Sequence, residues 1–296
     1  NPVRPGSRAK TLTCAYPSER PPSMYRQYYG FRKQPFDITP DPRFLYLSPG
    51  HEDVLRAIIY GIQGRRGIIA IIGEVGTGKT LLLNTALEWL SRKTKVACII
   101  NFDMSFDDLL FMALVNLGLC RPDEELKKAE SLRRLHKFAK EQVQNGGNVA
   151  LLVDEAQLLD HSAMENLRLL SNLETPKHKL VQIVICGQPE LDGKLNQPEL
   201  RQLSQRIGIR RNIDPLTEQE TYEYIRHRLK IAGLKRLPIF SAEAKTLGWR
   251  YSEGIPRKIN ILCDNSLLIG FQLRQKNINT AIVEKTLKDL HWQPVE

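Results

Sequence analysis

Short apolar runs and longer amphipathic stretches alternate along most of the chain. Five runs rich in β-branched residues have the length of buried strands, and the stretches between them repeat apolar residues at helical spacing. The predicted strands are 68–72, 95–102, 148–153, 180–186 and 207–213, and the predicted helices between them include 80–90, 105–117, 131–143 and 162–173. Because strands that alternate with helices build parallel sheets covered on both faces, the pattern predicts an α/β domain.

The hydrophobic pattern changes at both ends of this region. After Asp214-Pro215 only helical patterns follow, at 218–231, 241–251, 256–274 and 280–291, which predicts a small all-helical lid domain. Residues 1–23 contain five prolines and no hydrophobic period, so we expect either a disordered leader or an extension foreign to the native protein. The predicted organisation is a leader at 1–23, an α/β domain at 24–214 and a lid at 215–296.

Composition excludes several protein classes. Hydrophobic residues make up 42% and charged residues 26% of the 296 residues, which suits a packed core. The longest apolar run, 67–73, is far shorter than the roughly 20 residues of a membrane-spanning helix, and no secretory signal precedes it. Five cysteines without CxxC spacing are typical of core residues in a reducing compartment. We expect a cytoplasmic protein, and membrane association through a partner or a missing carboxyl-terminal region stays open.

The charge balance is basic. Lys and Arg number 43 against 33 Asp and Glu, a surplus of 10 that favours anionic partners such as nucleic acid. Half of that surplus lies in residues 1–50, which hold eight basic and three acidic side chains. A binding face for duplex DNA and a solvated basic surface therefore both remain open.

A glycine-rich run follows the first predicted strand and precedes a predicted helix. It reads Gly73-Glu74-Val75-Gly76-Thr77-Gly78-Lys79-Thr80 and matches GxxxxGK[ST] in full, with Leu81 directly after it. The glycines allow a tight turn whose N–H groups surround a phosphate at the start of the helix. Lys79 is expected to neutralise the β- and γ-phosphates, and Thr80 to offer its hydroxyl to Mg²⁺. The run predicts a Mg-ATP site.

Two carboxylates end a second apolar strand. The run 149–153 is followed by Asp154 and Glu155, about 75 residues after the glycine-rich loop. An Asp-Glu pair after a strand can also be an ordinary helix start, because acidic residues are favoured there. Together with the loop, Asp154 is expected to hold the metal and Glu155 to orient the attacking water.

Four arginines lie close together without an acidic residue among them. Arg201, Arg206, Arg210 and Arg211 fall between residues 200 and 213. In oligomeric ATPases an arginine of this kind can reach the γ-phosphate of a neighbouring subunit and stabilise the transition state. Arg206 is the preferred finger and Arg201 the second choice, since both precede a predicted strand, while an exposed basic stripe or an inter-subunit salt bridge remains the alternative.

Two more polar residues flank the predicted cleft. Gln188 follows the strand at 180–186 and can sense the γ-phosphate, although a simple turn residue fits the pattern equally well. Arg257 lies after Pro256 at the start of a lid helix, from which it can reach back to the nucleotide.

With these residues in place, residues 24–290 resemble the general secretion pathway protein A (ExeA/GspA) family of AAA+ ATPases, which is similar to the ATPase regulators of transposition. The motifs that carry the resemblance are Tyr29-Gly30-Phe31, Pro35-Phe36, the segment 39–46, GEVGTGKT, VDEAQ, GQPEL at 187–191, LRQLSQRI at 200–207 and GIPRKIN at 254–260.

The resemblance implies a P-loop AAA+ fold, with nucleotide in a cleft between a five-stranded parallel sheet domain and the helical lid. It places Gln188 at the sensor 1 position, Arg257 at the sensor 2 position and the segment from Phe36 to Tyr46 near the adenine. It also implies an ATP-dependent homo-oligomer, a ring or a filament, in which the arginine finger acts in trans.

The resemblance leaves two biological roles open. One is assembly or remodelling of a secretion-apparatus complex, and the other is oligomerisation on duplex DNA with recruitment of a transposase or replication factor. Secretion members of the family typically continue into a transmembrane helix and a peptidoglycan-binding region, whereas this sequence ends at Glu296. We therefore expect either the cytoplasmic portion of a longer protein or a stand-alone ATPase.

Overall fold

A computed structural model describes residues 24–39, 41–90, 92–100, 104–234 and 238–293. The predicted leader and the end of the second predicted strand at Phe102 lie outside these residues.

The centre of the protein is a five-stranded, fully parallel sheet with the order β2-β3-β4-β1-β5. The strands are β1 Ile68–Gly73, β2 Thr94–Ile100, β3 Asn148–Asp154, β4 Gln182–Gly187 and β5 Ile207–Ile213. The predicted start of the fourth strand at residue 180 is wrong by two residues. Leu180 and Val181 are buried like strand residues, but the Leu180 amide bonds to the carbonyl of Leu173 and not to the sheet.

Twelve α-helices surround or extend this sheet within the described residues. Their bounds are α1 Met24–Tyr29, α2 Pro49–Gln63, α3 Lys79–Trp89, α4 Phe106–Asn116, α5 Lys128–Gln144, α6 His161–Leu170, α7 Pro189–Leu195, α8 Arg201–Ser204, α9 Glu218–Ile231, α10 Ala242–Ser252, α11 Pro256–Gln272 and α12 Thr280–Asp289.

Helices cover both faces of the sheet, which explains why its central strands are apolar except at their ends. In β1, Ile68 and Ala70 belong to the core beneath α4, α5 and α6, whereas Ile69 and Ile71 belong to the core beneath α2 and α3. Successive strand residues point to opposite faces, so a strand buried on both sides needs apolar residues at every position. The predicted parallel sheet between two helical layers is confirmed.

Local polar residues set several helix starts. Ser105 and Asp108 form a capping box at the start of α4, and Thr217 and Glu220 form another at the start of α9. In each box the cap hydroxyl accepts an amide that has no partner within the helix, which stabilises the helix end.

The amino-terminal segment packs with the lid helices α9 to α12. Tyr25 and Phe36 share an apolar core with lid residues, and the Phe36 ring meets Phe240 edge to face. The hydroxyl of Tyr25 and the Nε2 of Gln34 both donate to the Asp264 carboxylate on α11, the latter at 2.8 Å. The segment 24–44 thus shares its core with the lid, and the predicted division near residue 214 stays a prediction.

In the part of the chain that the structure describes, no helix is both long and apolar enough to span a bilayer.

Candidate nucleotide-binding site

The loop between β1 and α3 has the turns that its glycines permit. Gly76 and Gly78 adopt left-handed conformations with φ of 87° and 101°. The hydroxyl of Thr77 donates to the Glu74 carbonyl at 2.8 Å, which closes the turn from within. Gly78 caps α3 without a side-chain hydrogen bond, so the first amides of that helix remain available to a phosphate.

The same loop touches the lid. A Cβ atom on Gly76 would lie 2.5 Å from the Cβ of Arg257, and the Arg257 amide donates to the Gly76 carbonyl at 3.2 Å. Glycine is therefore required at 76 for two independent reasons, its positive φ and the approach of α11. The contact places Arg257 at the cleft, where its exposed side chain lines the wall.

Lys79, Thr80 and Asp154 meet at the carboxyl edge of the sheet. The Nζ of Lys79 donates to the carbonyls of Gly73 and Glu74, at 2.7 and 2.9 Å. The Oγ1 of Thr80 donates to Asp154 Oδ2 at 2.6 Å. Because parallel strands end at one edge, β1 and β3 deliver these residues to one place. A hydroxyl beside a carboxylate supplies the oxygen ligands that suit Mg²⁺.

Glu155 lies next to this pair in a turn of unusual backbone geometry. Its φ is 53°, a left-handed conformation that is uncommon outside glycine. The Oε2 atom accepts hydrogen bonds from the Nε2 of Gln157 at 2.6 Å and from the Nε2 of Gln188 at 3.1 Å. Burial raises the pKa of Glu155, but the two amides and the Lys79 charge outweigh it and leave the pKa below its ordinary value of 4.5. The carboxylate is therefore ionised at neutral pH.

A cleft of about 420 Å³ joins these groups to the lid and the amino-terminal segment. Ile38, Thr39, Leu45 and Tyr46 line the cleft, and the expected place of this segment near the adenine stays a prediction. Phe36 is 1% exposed and does not line the cleft, because it packs into the lid core.

Arg228 of α9 connects the lid to the amino-terminal segment beside the cleft. Its Nε donates to the Pro35 carbonyl at 2.6 Å and its NH2 group to the Asp37 carbonyl at 3.2 Å. The guanidinium also lies 4.9 Å from the centre of the Phe44 ring, a cation–π distance. Sequence reasoning missed this residue, since its partners lie nearly 200 positions away.

His51 of α2 hydrogen-bonds to the phosphate loop. Sequence reasoning missed this residue too. Its Nε2 lies 2.9 Å from the Thr77 carbonyl and its Nδ1 lies 2.7 Å from the Ser48 hydroxyl. A carbonyl can only accept, so Nε2 carries the proton and Nδ1 accepts from Ser48. Burial lowers the pKa of His51, which agrees with a neutral ring. The run Ser48-Pro49 marks a helix start, but no motif connects this helix to the loop.

The four arginines at 200–213 divide into two pairs. The expectation that all four lack acidic partners is wrong, because residues distant in sequence neutralise two of them. Arg210 pairs with Asp192, and Arg211 pairs with Asp53 at 3.0 Å. Arg201 and Arg206 are exposed and form no ion pair within 4 Å of another described residue, although the Arg206 charge contributes to lowering the pKa of Glu174.

Arg206 lies at the edge of the sheet opposite the phosphate loop. It directly precedes β5, whose first residue Ile207 pairs with Ile68, while Ile213 pairs with Gly73 at the loop. A seven-residue strand at about 3.3 Å per residue separates the two edges by roughly 20 Å. Arg206 therefore cannot reach the cleft of its own subunit.

Comparisons with known proteins agree with this geometry. Residues 62–195 match a family model described as an AAA domain. The chain is similar to general secretion pathway protein A of Aeromonas hydrophila, with 42% identity over 249 residues. The matched region is 84% of this chain and 45% of that protein, so the chain spans less than half the length of this relative.

Several solved structures share the fold at low identity. The ORC2 protein of Aeropyrum pernix, with ADPNP and ADP, has a TM-score of 0.65 and 16% identity, and the match covers 90% of this chain and 73% of that one. The ORC1 protein of Aeropyrum pernix in complex with DNA has a TM-score of 0.64 and 18% identity over 88% of this chain and 70% of that one. The Thermotoga maritima RuvB branch migration motor has a TM-score of 0.53 and 17% identity over 84% of this chain and 73% of that one.

The sheet order, the phosphate loop and the paired acids after β3 agree with the sequence match to general secretion pathway protein A. The chain therefore belongs to the AAA+ family of P-loop proteins, as a relative of general secretion pathway protein A.

Proposed function

We propose that the chain binds Mg-ATP in the cleft and hydrolyses it, and that turnover drives oligomer assembly or remodelling of a partner complex. The observation that carries the proposal is the contact of Thr80 with Asp154 at 2.6 Å, beside Lys79 and Glu155. An ammonium group, two oxygen ligands for a metal and a separate ionised carboxylate are the groups that phosphoryl transfer to water requires.

Each residue of the site has a distinct proposed role. The glycine-rich run from Gly73 to Leu81 surrounds the phosphates, and Lys79 neutralises their developing charge. Thr80 and Asp154 would hold Mg²⁺, which would stabilise negative charge on the phosphates when bound. Glu155 orients the attacking water, and its low pKa keeps it ionised for that task. Gln188 and Arg257 respond to the γ-phosphate from the sheet and from the lid.

We propose Arg206 as the arginine finger, with Arg201 as the second candidate. Its exposure, its lack of an ion pair with described residues and its distance from its own cleft all favour action on a neighbouring subunit. A finger in trans makes hydrolysis depend on oligomerisation, so the ATP-bound state is the assembled one. Loss of such a finger lowers kcat by about 10³-fold or more.

Two substitutions separate binding from turnover. Lys79→Ala is expected to abolish ATP binding, whereas Glu155→Gln is expected to bind ATP, stop hydrolysis and trap the oligomer. Nucleotide titration, phosphate release and light scattering measure the three properties. Phosphate release at the wild-type rate in Glu155→Gln would show that another group positions the water.

Mixing two inactive variants tests the finger in trans. Arg206→Ala keeps a complete cleft, and Lys79→Ala keeps a complete finger, so a mixture is expected to recover part of the lost turnover. Arg201→Ala in the same assay decides between the two arginines. A mixture no more active than its parts, at concentrations where wild type assembles, would remove Arg206 as the finger.

The partner is proposed from the relative's name. General secretion pathway protein A points to a secretion-apparatus protein as the partner whose assembly this chain would drive. Co-purification with proteins of such an apparatus in the presence of a slowly hydrolysed ATP analogue tests this role. An oligomer that assembles with ATP but retains none of them would argue against it.

A second candidate, an ATP-dependent regulator that oligomerises on duplex DNA, rests on charge. Residues 1–23 contribute three to the surplus of 10, so seven remain in the rest of the chain. Binding through phosphate contacts must weaken steeply as salt rises. Failure of a chain without residues 1–23 to retain duplex at low salt, with or without an ATP analogue, would remove this candidate.

A further inference from the structure

Gln157 contacts Glu155, the proposed catalytic carboxylate. It is not among the residues that we propose to contact the nucleotide. It follows β3 by three residues, in a short 3₁₀ turn at Ala156–Leu158. Its Nε2 donates to Glu155 Oε2 at 2.6 Å, the shorter of the two side-chain bonds that this oxygen accepts. Among the described residues, no group donates to Glu155 Oε1, so one carboxylate oxygen is held and the other is open, in a residue that lines the cleft.

The other end of the Gln157 amide is also occupied. Its Oε1 accepts the backbone N–H of Gln188 at 3.1 Å. The side chain therefore bridges Glu155 to the end of β4, and its two polar atoms have different partners. Gln188 in turn reaches Glu155 Oε2 with its own side-chain Nε2 at 3.1 Å. The three residues form a closed ring of hydrogen bonds, in which Gln157 binds both of the others.

Two features keep Gln157 in this position. The Nζ of Lys194, on α7, donates to the backbone carbonyls of Gln157 and Leu159 at 2.7 and 2.6 Å, which anchors the turn. Gly187 leaves the space that the side chain occupies, since a Cβ there would lie 2.8 Å from Gln157 Oε1. Glu155 itself is in a left-handed conformation that brings it back toward the turn.

We infer that Gln157 is a positioning residue of the proposed ATPase, which holds Glu155 Oε2 so that Oε1 points at the attacking water. This inference rests on the proposed hydrolysis. Because Gln157 keeps Glu155 in place, Gln188 can exchange its bond to Glu155 for the γ-phosphate without releasing the carboxylate. The backbone N–H of Gln188 stays bonded to Gln157 Oε1 during that exchange.

The experiment compares Gln157→Ala and Gln157→Glu with wild type in steady-state ATP hydrolysis and in ATP binding. A hydrogen bond to a charged group contributes roughly 1.5–3 kcal/mol, so we expect kcat to fall by about tenfold or more. The affinity for ATP is expected to stay within about twofold, because Gln157 does not touch the phosphate loop.

A larger loss of kcat than of ATP affinity is expected in both variants. Gln157→Ala removes the donor to Glu155 Oε2, and Gln157→Glu puts a like-charged carboxylate in its place, so the second loss of kcat is the larger. Gln144→Glu is the matched control, since Gln144 is exposed at the end of α5, next to the amino edge of β3. Thermal unfolding of each variant checks that the fold is kept.

Each outcome decides one claim. Wild-type kcat in both Gln157 variants would overturn this inference and leave the ATPase proposal standing. A lowered melting temperature with kcat and ATP affinity reduced by the same factor would assign Gln157 to stability alone and would also overturn it. Absence of hydrolysis by wild type, at concentrations where it binds ATP and assembles, would overturn the proposed function and this inference with it.

Discussion

Three glycine substitutions test the contact between the phosphate loop and the lid. Gly76 has a positive φ, and a Cβ there would lie 2.5 Å from the Cβ of Arg257 and 3.3 Å from Ile255 Cγ2. Gly78 has a positive φ too, but its Cβ would meet only His51, at an ordinary 3.7 Å. Gly193 lies inside α7, and a Cβ there would meet nothing within 4 Å. Alanine therefore introduces backbone strain and steric overlap at 76, backbone strain alone at 78, and neither at 193.

The expected losses of unfolding free energy follow this order. A left-handed conformation costs an L-residue roughly 1–2 kcal/mol, which is the expected effect of Gly78→Ala. Overpacking of a close contact adds about 1–3 kcal/mol, so Gly76→Ala is expected to lose about 2–5 kcal/mol in total. Gly193→Ala is expected to gain up to about 1 kcal/mol, because alanine favours the helix.

Urea unfolding without nucleotide, followed by fluorescence, measures the three differences. The lid contact predicts that Gly76→Ala is less stable than Gly78→Ala by more than the uncertainty of the two midpoints. Equal losses at the two positions would refute the reasoning, because they would leave only the backbone strain that both share. A loss in Gly193→Ala comparable to the others would show that the assay responds to something besides the local geometry.

Three further predictions concern the groups around the cleft. His51 has its pKa lowered by burial below the ordinary 6.5, so its contribution to stability is complete above that pH and is lost as pH falls. Stability measured from about pH 7.5 to 5 should therefore fall more steeply in wild type than in His51→Asn, and equal slopes would contradict this. Tyr25→Phe removes a hydrogen bond to Asp264 and should lower the unfolding free energy by about 1–3 kcal/mol and speed trypsin cleavage near Arg26, while unchanged cleavage would contradict it. Arg228→Lys removes the guanidinium, which donates to the carbonyls of Pro35 and Asp37. ATP binding should therefore weaken about tenfold in a titration. Unchanged affinity would contradict a role of this segment in binding the base.

Much of the fold and part of the candidate site were predictable from the sequence. The five strands and the helices α3 to α6 and α9 to α12 follow from local periodicity, and their edges moved, as at Leu180, where burial continued beyond the ladder. The helices α1, α2, α7 and α8 were not among the predicted ones. The loop from Gly73 to Thr80 and the pair Asp154–Glu155 were also predictable. Each is a short motif after a strand, and parallel strands bring such motifs to one edge of a sheet.

Other features needed contacts between residues far apart in the chain. Asp53 and Asp192 neutralise Arg211 and Arg210, so the four arginines were not equivalent, although their spacing made them look alike. Gln157 was visible in the VDEAQ run, but its hydrogen bonds to Glu155 and Gln188 depend on how β3 and β4 lie side by side.

The sequence by itself determined the parallel sheet, the phosphate loop and the acids beside it, because hydrophobic period and motif spacing are local properties of a chain. Only the tertiary structure decided that the segment 24–44 packs with the lid, that Arg228 and His51 support the two ends of the cleft, and which of the four arginines form ion pairs. These outcomes depend on pairs of residues brought together by folding, and neither member of such a pair identifies the other.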